Sequence, residues 1–139
     1  MTARILLVDD DRAALFALRE LLADLDATLV LAATGEEALR QVLKQQFAAI
    51  MLDVRLPGMD GFEVAAAIRS LERSRRTPII FMSAHSDRRR RSRPGAMPEC
   101  YLGKPLAPEV VRAKLAELIE QQPQFLPEAG SHEYDAKLA

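Results

Sequence analysis

The sequence predicts a doubly wound α/β domain, a five-stranded parallel sheet with helices on both faces. Short apolar runs alternate with longer stretches of helical period, as strands and helices do when they interleave along a chain. Ile5-Leu6-Leu7-Val8 and Ile79-Ile80-Phe81-Met82 are apolar at consecutive positions, the pattern of central strands covered on both faces. Several of these runs also end in chemically loaded residues, at the strand ends where parallel sheets place their sites.

The strands are read at residues 4–8, 28–32, 48–52, 78–82 and 100–103. After the first strand, Leu15, Leu18, Leu22 and Leu25 recur at intervals of three and four, one buried helical stripe. Thr34 with Glu37 reads as a capping box opening a second helix through Ala38, Leu39, Val42 and Leu43. Asp60 with Glu63 does the same for a third, which carries Phe62, Val64, Ala67, Ile68 and Leu71. The fourth helical segment is short or irregular, because residues 86–93 offer charge without apolar spacing and Pro94-Gly95 interrupts them. Pro108 suits the first turn of a last helix whose face is Val111, Leu115, Leu118 and Ile119, and which stops by Pro123. Periodicity then fades, so residues 123–139 read as a linker or frayed tail beyond a single domain at 1–122.

Bulk properties narrow the function. The 139 residues support one core, and a net charge of −1 supplies no global field for nucleic acid or an anionic membrane. Met1-Thr2-Ala3-Arg4 runs straight into the first strand and three aspartates, unlike a signal peptide, and no apolar run approaches membrane-span length. The lone Cys100 forms no internal disulfide and fits a reducing compartment, so the expected location is the cytoplasm.

The chemistry sits at four strand ends: Asp9-Asp10-Asp11, Asp53, Ser83-Ala84 and Gly103-Lys104-Pro105. If the strands are neighbours, carboxylates, a hydroxyl and an ammonium converge. Two carboxylates about 4 Å apart repel by roughly 4 kcal/mol at an effective dielectric near 20, so the cluster calls for a cation. With oxygen ligands and no Cys or His, that cation is Mg²⁺ or Mn²⁺ rather than Zn²⁺. Lys104 and Ser83 could then serve phosphoryl oxygens, leaving Asp53 as a nucleophile that forms an aspartyl phosphate. Asp11 reads as a helix-start residue, and residues 56–61 as a turn shaped by Pro57, Gly58 and Gly61.

The motifs Val8-Asp9-Asp10-Asp11, Leu52-Asp53, Leu56-Pro57-Gly58-Met59-Asp60-Gly61, Met82-Ser83-Ala84 and Tyr101-Leu102-Gly103-Lys104-Pro105 resemble the receiver domain of bacterial two-component response regulators, the CheY-like family. The likeness spans about residues 3–121. It implies a flavodoxin-like sheet of strand order 2-1-3-4-5 and a metal held by Asp9, Asp10, Asp53 and the backbone carbonyl of Arg55. It also implies that Asp53 takes phosphate from a histidine kinase or phosphotransfer protein, or from a small phosphodonor, and catalyses its own phosphorylation and dephosphorylation. Ser83 and Lys104 would read the new charge, Tyr101 would be a switch aromatic, and the Lys104-Pro105 peptide would be cis. Arg55 and His85 would tune phosphate lifetime, and an unidentified downstream protein or output domain would receive the signal.

Two other classes stand beside this reading. A haloacid-dehalogenase-type phosphatase also uses an aspartate nucleophile, but it wants a second aspartate two residues on, where Arg55 stands. A phosphorylation-independent binding module needs none of the four strand-end groups that are present. Arg88, Arg89, Arg90, Arg91 and Arg93 read as a solvated loop, with an acidic partner as the alternative.

Overall fold

In the computed structural model, which describes residues 2–84 and 100–125, five parallel strands form one sheet. They are β1 (Ala3–Val8), β2 (Ala27–Ala32), β3 (Ala49–Asp53), β4 (Ile79–Ser83) and β5 (Cys100–Gly103), in the order β2-β1-β3-β4-β5. This is the predicted sheet, with strand boundaries shifted by at most one residue. The described residues form four α-helices, α1 (Arg12–Leu21), α2 (Gly35–Lys44), α3 (Gly61–Ser70) and α4 (Pro108–Glu120). The segment read as a short or irregular fourth helix, the arginine cluster and His85 lie outside the described residues.

Both faces of the central strands are covered, which is why their sequences do not alternate. Leu6, Val8, Ile50, Leu52, Ile79 and Phe81 face α2 and α3, meeting Ala38, Val42, Phe62, Val64 and Ile68. Ile5, Leu7, Ala49, Met51, Ile80 and Met82 face the other way, onto Leu15, Leu18 and Leu22, and onto Val111 and Leu115 of α4. Each fully buried side chain of this kind contributes about 1.5–3 kcal/mol. The edge strand β2 is only partly covered, and Leu31 there is 36% exposed.

Local chemistry fixes the helix ends. Asp11 caps α1, its carboxylate accepting from the amides of Ala13 and Ala14. The helix stops at Leu21, yet Leu22 is fully buried and Leu25 packs on the same cluster, so the leucine stripe outlasts the helix through a turn. At α3 the predicted capping box closes in both directions, between Asp60 and Glu63 at 2.9 Å each way. At α2 only half of it forms. Thr34 Oγ1 accepts from Glu37 N–H at 3.1 Å, but Glu37 Oε1 reaches past Thr34 to the amide of Ala33 at 2.6 Å.

Pro108 opens α4 in its first turn, and the helix ends at Glu120, short of Pro123 as expected. Gln122 Nε2 then donates to Ala48 O at 2.8 Å, and a 3-10 turn at Pro123–Phe125 buries Phe125 against Ala3 and Ala48. Ordered packing therefore runs three residues past Gln122. No helix among the described residues is long and apolar enough to cross a membrane.

Candidate functional site

Strand register brings the loaded ends together. Val8 pairs with Leu52, Asp53 with Met82, and Ser83 with Gly103, so Asp9, Asp53, Ser83 and Lys104 emerge side by side at the carboxyl edge of the sheet. Asp9 is 3% exposed, its Oδ1 accepting from the Asp11 amide at 3.0 Å. Asp53 is held the same way, Oδ1 accepting from the Arg55 amide at 3.0 Å. These local turns aim each second oxygen into the pocket.

Lys104 answers both. Its Nζ lies 2.9 Å from Asp53 Oδ2 and 3.1 Å from Asp9 Oδ2. The Lys104 amide donates to Ser83 O at 2.9 Å, and the Lys104-Pro105 peptide is cis, as the resemblance implied. Ser83 is 1% exposed, and its Oγ has no hydrogen-bond partner among the described residues. A buried hydroxyl left unpaired costs about 1–3 kcal/mol, so it is a donor awaiting an acceptor.

Asp10 completes the cluster from an exposed position. Oxygen atoms of Asp9, Asp10 and Asp53 lie within 4.8 Å of one another. At that separation like charges repel by roughly 3–4 kcal/mol at an effective dielectric of 20, and Lys104 brings one positive charge to three carboxylates. The imbalance bears on the proton affinity of both partners. Burial pushes the Asp53 carboxyl above its usual range, helped by the Asp9 charge and opposed by Lys104 and the Arg55 amide. Burial alone would lower Lys104, but hydrogen bonds and charge from Asp53 and Asp9 raise it. Hard oxygen donors with surplus negative charge fit a divalent cation.

Tyr101 stands apart from the carboxylates. It is half-buried on β5, stacked on Phe81 with ring centroids 5.2 Å apart, and Phe81 in turn meets Phe62 at 4.9 Å. Arg55, Leu56, Pro57 and Ala84 line the pocket mouth. The sequence reading treated Gly61 as a turn residue and missed its closer role: a Cβ there would press on the Asp53 carbonyl oxygen and lie 2.8 Å from Val54 Cα. Glycine at the first helical position after an aspartate cap was the available signal.

This fold with this strand-end cluster defines a receiver of two-component signalling. The model described as "Response regulator receiver domain" matches residues 5–116, and the chain belongs to that family. Among relatives it is 37% identical over 122 residues to response regulator MprA of Mycobacterium ulcerans, covering 87% of this chain and 52% of MprA. It is 35% identical over 108 residues to sensor protein GacS of Pseudomonas syringae pv. syringae, covering 75% of this chain and 12% of GacS. The chain thus spans about half or less of these relatives. Among solved structures, the receiver domain of sensor histidine kinase PA1611 from Pseudomonas aeruginosa superposes with a TM-score of 0.75 at 31% identity, covering 85% of this chain and 98% of that one. That receiver holds a magnesium ion in its active-site cleft.

Proposed function

We propose that Asp53 is the phosphoacceptor of a two-component switch, taking a phosphoryl group from a phosphohistidine on a histidine kinase or phosphotransfer protein. The observation that carries this reading is Asp53 sharing Lys104 with Asp9 beside the Ser83 hydroxyl, which is unpaired among the described residues. A carboxylate oxygen of Asp53 forms the new P–O bond as the P–N bond to histidine breaks, and the departing imidazole nitrogen keeps the electron pair. Asp9, Asp10, Asp53 and the Arg55 carbonyl would hold Mg²⁺, or Mn²⁺, which when bound neutralises charge on the phosphoryl oxygens.

The chain's own groups then do the rest. Lys104 pairs with one phosphoryl oxygen, and Ser83 Oγ–H donates to another. Both interactions are stronger with the phosphorylated than the free carboxylate, so they shift a pre-existing equilibrium rather than create a new state. Tyr101, stacked over Phe81 on the strand that leads to Lys104, carries the shift toward a downstream partner, which remains a protein rather than nucleic acid or membrane. Arg55 at the mouth restricts hydrolytic water and lengthens the phosphorylated state. Cytoplasmic location and a receiver unit at 1–122, lengthened by the turn that packs Phe125, complete the reading.

Beryllofluoride with Mg²⁺ tests it by amide NMR. Shifts at Asp53, Ser83 and Lys104 in wild type, absent in Asp53→Asn, are expected. Equal responses in both proteins would end the assignment of Asp53.

A further inference from the structure

On the proposed reading one metal ligand is the backbone carbonyl of Arg55, which no side-chain rotamer can aim. Its place depends on how the segment between β3 and α3 is held. That segment closes at its base, where the Gly61 amide donates to Val54 O at 2.8 Å, and the Arg55 amide ties its near end to Asp53 Oδ1. Between these ties Arg55 and Pro57 stand exposed at the pocket that Asp9, Asp10 and Asp53 also line. Two apolar side chains of the segment reach the core instead. Leu56 is buried and Met59 half-buried, and both pack on the cluster shared by α2 and α3.

Met59 has a specific seat. A Cβ on Gly35, the buried first residue of α2, would lie 3.3 Å from Met59 Cβ, 3.5 Å from its Sδ and 2.7 Å from Val64 Cγ2 of α3. The space a side chain would fill at Gly35 is thus taken by Met59 and Val64, and three elements meet there. We propose that Met59, seated on Gly35, is a positioning residue for the metal: it holds residues 55–58 against the core and keeps Arg55 at the pocket, where its carbonyl serves the ion. This rests on the metal site assigned above and adds to it a side chain that touches neither the ion nor a phosphoryl group. Without the anchor the carboxylates and Lys104 stay in place, but the segment samples other positions, and apparent affinity falls in proportion to the fraction still competent.

Mg²⁺ titration of the full chain, followed at the Asp9 and Asp10 amide resonances, tests this. Met59→Ala should weaken Mg²⁺ binding by about tenfold, the low end of what residues supporting a metal ligand cost, and Met59→Leu should restore it. Val42→Ala is the comparison. Val42 is buried in the same cluster, about two turns along α2 from Gly35, so its truncation should lower stability in urea and leave Mg²⁺ affinity at the wild-type value. Three results would overturn the proposal while leaving the metal site standing: Met59→Ala binding as tightly as wild type, Met59→Leu failing to restore affinity, or Val42→Ala losing as much as Met59→Ala. A wild type whose Asp9 and Asp10 amides ignore Mg²⁺ would instead remove the metal site itself, and the proposal with it.

Discussion

Burial of the Asp53 carboxyl favours its protonated form, and that gives a stability test. Its folded pKa lies above the ordinary 3.8, chiefly through burial. Between those values the folded chain holds a proton that the unfolded chain releases, so stability falls as pH rises through the window and stays lower above it. Asp53→Asn should remove that part of the slope and make the metal-free protein more stable near neutrality. Urea unfolding in chelator from about pH 4 to 7 measures it, and parallel curves for the two proteins would contradict the placement. Gly61 supplies a second residue-scale test. With a Cβ set against the Asp53 carbonyl, Gly61→Ala should destabilise by about 1–3 kcal/mol and move the Asp53 and Val54 amide resonances, despite alanine's better helix propensity.

At the scale of elements, the two capping boxes differ in what their sequences reveal. Asp60 and Glu63 satisfy each other's amides, so Asp60→Ala should cost about 1 kcal/mol in thermal or urea unfolding. The same spacing at Thr34 and Glu37 forms only half the motif, because Glu37 finds the Ala33 amide instead. Spacing announces a helix start, but the rotamer that closes it depends on the approaching strand. Central strands were legible because burial on both faces leaves an unbroken apolar run. Leu22 and Leu25 were legible as a stripe, but not as a turn, since a core contact looks alike in either backbone state. Phe125 was not legible at all. A single aromatic after a proline has no period, and its burial depends on Ala3 and Ala48, far away in sequence. Phe125→Ala should lower stability by about 3 kcal/mol, whereas a loss within a few tenths would mean the aromatic is not packed there.

Across the whole molecule, the site exists because parallel register delivers four strand ends to one edge. The identities of Asp9, Asp10, Asp53, Ser83 and Lys104 could be read from their positions after apolar runs. Their arrangement could not: nothing local says that Lys104 divides itself between Asp9 and Asp53, or that Ser83 Oγ is buried without a partner among the described residues. That arrangement ties β1, β3, β4 and β5 to a single charge balance, so on the proposed reading a phosphoryl group arriving on Asp53 would re-pair Lys104 and Ser83 together. Coupling of about 1–3 kcal/mol is the usual scale for such a switch, enough to shift populations by about 5- to 150-fold.

The most direct measurement is intact mass after incubation with acetyl phosphate and Mg²⁺. Wild type should gain the mass of one phosphoryl group, lose it on chelation-free standing or with hydroxylamine, and show no gain as Asp53→Asn. A wild type that stays unmodified, or an Asp53→Asn variant that is labelled equally well, would contradict the account.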